Sequence, residues 1–246
     1  LEDIEHGNFI VCLVPKMDVQ SEQIAGAEAV VRYHHKDLGI VDPGKYINLL
    51  EETKLSHYLD LYVFEEVCRT LHRWEIEDIP LIPIAVNFAG ATLRQESVAD
   101  RMMKIIEKYH VRCEYLEVEV SESSSDMNQE MLAETSSKIR KGNVRVILDH
   151  FGAKDSSFSI LSLMEFDALK LDKSLITNIV GSSRSRIVAQ AVIDICRQLG
   201  ASVEAAGVET QDQLNVLGEL GCDHAQGALF NKPITIETFE VRYLRG

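Results

Sequence analysis

Four oxygen-bearing side chains stand at or near the ends of four predicted β-strands, and together they could bind a metal ion. They are Glu28, Asn87, Glu119 and Asp149. In an α/β barrel the chemistry gathers at the C-terminal ends of the strands, so polar residues from different strands meet there. Three carboxylates at one place repel one another unless a hard divalent cation neutralises them. The set therefore predicts a site for Mg²⁺ or Mn²⁺.

Three further polar residues fall at or just beyond strand ends: Lys170, Glu209 and Gln226. Taken singly, a polar residue at such a place more often caps the next helix or faces solvent than binds a ligand. Their interest comes from their shared place in the predicted barrel, because they belong to the same end as the four candidate metal ligands.

Short apolar runs rich in β-branched residues alternate with longer stretches of helical period along the chain. The predicted strands are 9–15, 25–33, 82–88, 116–120, 145–148, 168–171, 202–207 and 225–229. The predicted helices are 57–75, 92–110, 128–141, 183–199 and 210–220. Eight strands alternating with helices predict an α/β fold closed into a (β/α)8 barrel. Only about ten residues join the first two strands, which is too few for a parallel crossover, so this pair is predicted to be antiparallel.

Composition excludes several classes of protein. Of 246 residues, 25 are Lys or Arg and 39 are Asp or Glu, so the net charge is −14. This charge argues against binding of long nucleic acid, although a small anionic ligand can bind through metal ions. No apolar run approaches the roughly 20 residues that span a bilayer, so we expect no membrane contact by this chain. The five widely spaced cysteines predict buried, reduced thiols and a cytoplasmic location.

A series of short motifs resembles the EAL-domain family of cyclic di-GMP phosphodiesterases. The first is GAEAVVRY at 26–33, with valine in place of the leucine of the Glu-Ala-Leu signature. The others are INLLEET at 47–53, VN at 86–87, LEVEVSE at 116–122, LDHFG at 148–152, LKLD at 169–172, AAGVET at 205–210 and LGCDHAQG at 220–227. They follow the family order and cover the chain from about Phe9 to Phe239. We expect a single domain, residues 1–246, that is a fragment of a longer multidomain signalling protein.

The resemblance implies a modified (β/α)8 barrel with one antiparallel strand, which hydrolyses cyclic di-GMP to linear pGpG with two Mg²⁺ or Mn²⁺ ions. It implies that the ligands of the first metal are Glu28, Asn87, Glu119 and Asp149. It places Arg32 on a ligand phosphate, Gln226 in the lining of the site and Lys170 near the attacking water. Glu209 is the second candidate catalytic residue. Glu122 matches a glutamate that anchors the loop after the fifth strand, which also contributes to dimerisation.

The chain departs from the family pattern at the second metal, which Asp149 would share with the first. His150 replaces an aspartate and Ala206 replaces a glutamate, so two anionic ligands are missing. Imidazole is a poor ligand for Mg²⁺, and the methyl group of alanine cannot bind a metal ion. The loop after His150 also lacks its second glycine. We therefore expect at most one well-bound ion. Glu204 could compensate only by reaching about 6–7 Å upward from the same strand face.

The leading hypothesis is an EAL-type cyclic di-GMP signalling domain that is catalytically impaired and acts as a nucleotide-binding or regulatory module. One alternative is an active metal-dependent phosphodiesterase, rescued by Mn²⁺, by His150 or by Glu204. The other is a protein-interaction module without nucleotide binding, against which the retained Arg32 and Gln226 argue. Because the loop is altered, we expect a monomer or a weak homodimer.

Overall fold

Eight strands close into a barrel whose first strand runs against both of its neighbours. The computed structural model describes residues 7–35, 39–41, 43–53, 55–121, 129–153 and 158–245. The strands are β1 (Phe9–Asp18), β2 (Ile24–His35), β3 (Gly39–Val41), β4 (Ile84–Phe88), β5 (Leu116–Ser121), β6 (Arg145–Phe151), β7 (Ala168–Leu171), β8 (Ser202–Ala206), β9 (His224–Gln226) and β10 (Ile234–Thr235). From β2 through β4 to β9 the pairing is parallel, and β1 closes the barrel by pairing antiparallel with β2 and β9. The predicted fold class and the antiparallel first pair are confirmed.

Helices follow the strands and cover the outside of the barrel. They are α1 (Pro43–Glu52), α2 (Ser56–Ile76), α3 (Gly90–Leu93), α4 (Val98–Tyr109), α5 (Gln129–Lys141), α6 (Ile160–Leu163), α7 (Lys173–Ile176), α8 (Ser183–Leu199), α9 (Gln211–Leu220) and α10 (Ile236–Phe239). A 3₁₀ turn precedes β5, and a π-helical turn, Glu240–Leu244, follows α10. Among the described helices, none is long and apolar enough to cross a bilayer.

The predicted helix 92–110 is wrong in one respect, because the structure divides it into α3 and α4. The reason is a contact from a distant helix. Asp60 on α2 accepts hydrogen bonds from the backbone N–H of Ala89, at 2.9 Å, and from the hydroxyl of Thr92. A carboxylate that caps a short helix from outside leaves no mark in the local sequence pattern.

Strand β9 is shorter than predicted because the chain after Gln226 bonds to the loop that follows β8. The carbonyl of Gln226 accepts from Val208, and Leu229 donates to the Val208 carbonyl, both at 3.1 Å. Gly227 permits this approach, since a Cβ at that position would lie 2.2 Å from the Val208 oxygen. The ends of β8 and β9 are thereby fixed beside each other.

The apolar core lies between the helices and the outer faces of the strands. Its largest fully buried side chains include Trp74, Phe64 and Phe239. Inside the barrel the apolar content is small. A separate cluster there comprises Ala85, Ile147 and Ala168, each two residues before a candidate site residue on its strand. Polar and charged side chains fill much of the remaining interior, and they position the candidate site.

Candidate functional site

The ammonium group of Lys170 on β7 reaches across the barrel to two carboxylates. Its Nζ donates to Glu28 Oε2 on β2 at 3.1 Å and to a carboxylate oxygen of Glu119 on β5. The neighbours of β7 in the sheet are β6 and β8, so both contacts cross the barrel interior. Lys170 and Glu119 are almost fully buried. Burial lowers the pKa of Lys170, but the carboxylates of Glu119 and Glu28 outweigh it and raise the pKa well above its usual value.

Two side-chain amides complete the surroundings of Glu28. Asn87 Nδ2 donates to Glu28 Oε1 at 2.7 Å, and Gln226 Nε2 donates to the other oxygen. Burial alone raises the pKa of Glu28. The charge of Lys170 and the two amide hydrogen bonds overcome that effect, and the pKa is lowered. Glu28 is thus held as a carboxylate at the centre of the predicted set.

The pKa of Glu119 is shifted in the opposite direction from that of Glu28. Burial and the nearby charge of Glu28 raise its pKa well above the usual value, in spite of the contact with Lys170. Its Oε2 is buried and has no hydrogen-bond partner among the described residues, and the same holds for Gln226 Oε1. A buried acceptor without a donor costs free energy, and a cation can satisfy it. The unpartnered oxygen of Glu119 therefore fits a cation, and Glu28, Asn87 and Asp149 stay the predicted further ligands. Among the described residues, no group of three or more acidic, histidine or cysteine side chains is already arranged around a metal position.

Asp149 and His150, at the end of β6, contact each other at two places. His150 Nδ1 lies 2.7 Å from Asp149 Oδ2, and the His150 backbone N–H donates to Asp149 Oδ1 at 2.6 Å. The backbone of His150 is left-handed, with φ of 59°. The hydrogen bond to Asp149 raises the pKa of His150. Burial raises the pKa of Asp149, but Lys170 and His150 together lower it.

A cavity of about 410 Å³ opens beside this cluster. Arg32, Asn87 and His150 supply polar groups to its wall, and most of its other lining is apolar, including Tyr46 and Leu59. Arg32 Nη1 donates to the Val31 carbonyl at 3.0 Å, which keeps the guanidinium against the cavity wall. A planar guanidinium at the mouth of an apolar cavity can hold a phosphate while an aromatic base lies in the cavity.

Comparisons with known proteins bear on this arrangement. The sequence profile described as "EAL domain" matches residues 1–233. The chain belongs to the EAL-domain family. It is 32% identical over 239 residues to the signaling protein YkoW of Bacillus subtilis, covering 97% of this chain and 30% of that protein. It is 30% identical over 232 residues to the cyclic di-GMP phosphodiesterase PA2567 of Pseudomonas aeruginosa, covering 94% of this chain and 39% of that protein. The chain thus spans about a third of these relatives.

A solved structure entitled PaMucR phosphodiesterase, cyclic di-GMP complex, superposes on this EAL domain with a TM-score of 0.89. The identity is 25%, and the superposition covers 97% of this chain and 96% of that one. The predicted family and barrel fold are confirmed by these likenesses.

At the second metal position, this EAL domain supplies fewer donors. Ala206 ends β8, beside Gln226 in the register, and its methyl group has no atom that binds a cation. His150 Nδ1 is held by Asp149, which leaves Nε2 as the available ring nitrogen, and an imidazole nitrogen is a poor ligand for a hard ion such as Mg²⁺. These residues therefore do not fit a second hard divalent ion in the way that the cluster around Glu119 fits the first.

One predicted catalytic residue, Glu209, stands apart from the cluster. Glu209 is exposed in the loop after β8, where its backbone N–H donates to Gln213 Oε1 at 2.8 Å. That contact belongs to the capping of α9, in which Thr210 and Gln213 form a capping box. A catalytic role for Glu209 stays a prediction. Glu122 and residues 154–157 lie outside the described residues.

A second charged layer lies below the site and was missed by the sequence analysis, except for the inward direction of Glu204. Lys16 Nζ on β1 lies 2.6 Å from Glu117 Oε2 and 2.5 Å from Glu204 Oε1. Arg145 lies 2.6 Å from the other oxygen of Glu117. Lys16 follows directly on the predicted strand 9–15, and the structure extends that strand to Asp18. The available signal was therefore a lysine next to an apolar run, because a lysine that is buried on a strand requires an acid partner.

Proposed function

We propose that this EAL domain binds cyclic di-GMP at the C-terminal end of its barrel and hydrolyses it poorly, so that it serves as a nucleotide-binding or regulatory module. One observation carries the proposal. Lys170 donates to Glu28 and Glu119, Asn87 donates to Glu28, and the charge of Lys170 also acts on Asp149. At the position that the resemblance assigns to a second metal, the chain carries Ala206 and a His150 whose ring contacts Asp149. Nucleotide binding is supported by the solved complex of a similar domain.

A divalent ion, Mg²⁺ or Mn²⁺, would be held by Glu28, Asn87, Glu119 and Asp149. Such an ion neutralises the carboxylates and polarises a bound phosphate. Around it, the chain's own groups bind and orient the ligand. Arg32 offers two parallel N–H donors to one phosphate. Gln226 fixes one oxygen of Glu28, which keeps that carboxylate directed into the site.

The missing donors decide the expected rate. Phosphodiester hydrolysis by two metals relies on a clamp that stabilises both the attacking and the leaving oxygen. Ala206 supplies no donor, and His150 offers only the nitrogen Nε2, an imidazole donor where the family pattern has a carboxylate. Lys170 carries a positive charge into the same region, but the surrounding carboxylates raise its pKa, and a protonated ammonium group is a poor base for water.

An active phosphodiesterase is the second candidate function, and the names of relatives such as PA2567 favour it. Titration calorimetry with cyclic di-GMP, with and without Mg²⁺, Mn²⁺ or Ca²⁺, followed by a chromatographic assay for linear pGpG, separates the two. We expect cyclic di-GMP to bind in the presence of each of the three metal ions. We expect its hydrolysis to be far slower than in intact family members. Efficient pGpG formation in Mg²⁺ contradicts impairment, and a chain that binds no cyclic di-GMP under any condition contradicts the proposal as a whole.

Further proposals concern the location of the domain, its partners and its oligomeric state. We propose that the domain works in the cytoplasm, which agrees with its five free cysteines, and as one part of a longer signalling protein. We also propose that it makes no contact with long nucleic acid. In isolation we expect a monomer or a weak dimer, and sedimentation that shows a tight dimer at micromolar concentration contradicts this.

A further inference from the structure

Glu204 has one carboxylate oxygen whose purpose the site described above does not explain. Its Oε1 lies 2.5 Å from Lys16 Nζ. Its Oε2 is buried and has no hydrogen-bond partner among the described residues. The residue as a whole is 2% exposed, so water does not satisfy this oxygen freely. A buried carboxylate with one unused oxygen is ready to accept a further donor.

Lys170 is the donor that stands next to it. Lys170 and Glu204 are register partners on the adjacent parallel strands β7 and β8, so their side chains leave the sheet on the same face. That face is the barrel interior, because Lys170 contacts Glu28 and Glu119 across it. The charge of Glu204 also acts on the pKa of Lys170. In this structure the ammonium group of Lys170 contacts Glu28 and Glu119, and not Glu204.

A metal ion and Lys170 compete for the same atoms. Glu28 and Glu119 are two of the proposed metal ligands, and both accept hydrogen bonds from Lys170. Two cations on one pair of buried carboxylates repel each other strongly. The ammonium group must therefore move away when a divalent ion binds, and a buried ammonium group requires another acceptor.

We propose that Glu204 is this acceptor: when a divalent cation binds to Glu28, Asn87, Glu119 and Asp149, Lys170 moves from them to Glu204 Oε2. Glu204 is then a positioning residue that makes the metal site accessible, and not a metal ligand. The inference rests on the metal site in the proposed function. It assigns the buried charge of Glu204 to an exchange of partners inside the barrel.

The test measures Mn²⁺ affinity of the 246-residue chain by calorimetry, without nucleotide. In Glu204→Gln the displaced ammonium group loses a charged acceptor, and we expect Mn²⁺ to bind about tenfold more weakly, the factor for one charge-assisted hydrogen bond. In Lys170→Met no ammonium group has to move. The Glu204→Gln change should then have little effect on Mn²⁺ affinity, which a double-mutant cycle expresses as coupling between the two positions.

Several outcomes overturn the inference. An equal loss of affinity in both backgrounds shows that Glu204 attracts the metal by charge alone, and an unchanged affinity in Glu204→Gln shows that it has no part. If Glu204→Gln does not fold, a crystal structure of the unmodified chain with Mn²⁺ decides, because Lys170 Nζ must then lie within hydrogen-bond distance of Glu204. A chain that binds no Mn²⁺ overturns this inference together with the proposed metal site. A chain that binds Mn²⁺ but does not bind cyclic di-GMP when the nucleotide is added overturns only the proposed function.

Discussion

Lys16 and Glu204 form a buried ion pair inside the barrel, with 2.5 Å between Nζ and Oε1. This pair holds the Glu204 carboxylate in the lower of the two charged layers. Ala206 lies two residues further along β8, which corresponds to about 6–7 Å along the strand. Glu204 is thus bound away from the place of the missing glutamate, and the pair argues against direct replacement of that ligand by Glu204.

Glu117 and Glu119 differ by two positions on β5, and they should respond oppositely to removal of their charge. Burial and Glu28 raise the pKa of Glu119, whereas Lys16 and Arg145 overcome burial and lower the pKa of Glu117. We expect Glu119→Gln to keep the free energy of unfolding within about 1 kcal/mol of the unmodified chain, or to increase it, in the presence of a chelator. Chemical denaturation measures this.

Glu117→Gln is the matched control for that experiment. It removes a partner from the buried ammonium group of Lys16, so we expect a loss of about 3 kcal/mol. Addition of Mn²⁺ should raise the melting temperature of the unmodified chain and of Glu117→Gln, but not of Glu119→Gln. A large destabilisation by Glu119→Gln contradicts the view that this carboxylate is retained for metal binding at a cost in stability.

The sequence predicts the upper charged layer of the barrel, around Glu28 and Glu119, well. It predicts the lower layer, around Lys16 and Glu204, poorly. Glu28, Asn87 and Glu119 each lie on a strand whose period is readable from its own residues, and register pairing then brings Asn87 beside Glu119. The pair between Lys16 and Glu204 depends on which strands face each other across the interior. That relationship follows from closure of the whole barrel, and no local pattern carries it.

The contact between His150 and Asp149 shows the same limit at the site itself. The substitution of the second aspartate can be seen from the sequence, and its consequence for charge follows at once. The left-handed backbone of His150, which lets its ring bond back to Asp149, depends on the three-dimensional path of the loop. The identity of a lost ligand is therefore predictable, but the new partner of its replacement is not.

Arg32 should contribute strongly to nucleotide affinity. Loss of a bidentate contact to phosphate is expected to weaken binding of cyclic di-GMP about 10- to 100-fold in Arg32→Ala. Arg32→Lys should recover only part of this, because an ammonium group lacks the planar pair of donors. Arg69, exposed on α2 and bound to Glu66, provides the control, and Arg69→Ala should bind as the unmodified chain does. If calorimetry gives the same affinity for cyclic di-GMP in Arg32→Ala and Arg69→Ala, Arg32 does not contact the nucleotide.

Glu240 should make the chain sensitive to acid. It accepts a hydrogen bond from Trp74 Nε1 at 2.7 Å and further ones from Arg73. Burial raises the pKa of Glu240, but these donors overcome it and lower the pKa below the usual 4.5. A lowered carboxyl pKa adds stability above the unfolded value, and that stability is lost as the pH falls through the folded value.

Glu240→Gln is therefore expected to be less stable near pH 6, by about 1–2 kcal/mol, since the partly exposed Arg73 is screened by water. The difference should shrink as the pH falls below about 4.5, where the unfolded chain takes up the proton, and it should vanish below the lower pKa of the folded chain. Melting curves across this range measure it. Glu77, which is exposed and also faces Arg73, is the control, and Glu77→Gln should leave the acid dependence unchanged. Parallel pH profiles of Glu240→Gln and the unmodified chain contradict the assignment.

Restoration of the second metal position tests the proposed impairment directly. His150→Asp or Ala206→Glu alone should recover little hydrolysis of cyclic di-GMP in Mg²⁺, because ligands of one ion act together. The double variant should recover much more than the sum of the two. Addition of Glu119→Gln to the double variant should abolish the gain, since that change disables the first metal position. The rate of pGpG formation is the measurement.

The outcome depends on whether the loop after Gly152 accepts the restored ligands. If the double variant stays inactive while cyclic di-GMP still binds through Arg32, the defect lies in that loop. Replacement of residues 153–157 by the family sequence is then expected to restore turnover in the double variant. If the unmodified chain is already active in Mn²⁺ and Glu204→Val abolishes that activity without weakening Mn²⁺ binding, the lower-layer carboxylate takes part in hydrolysis. Both the proposed impairment and the assignment of Glu204 as an acceptor for Lys170 are then wrong.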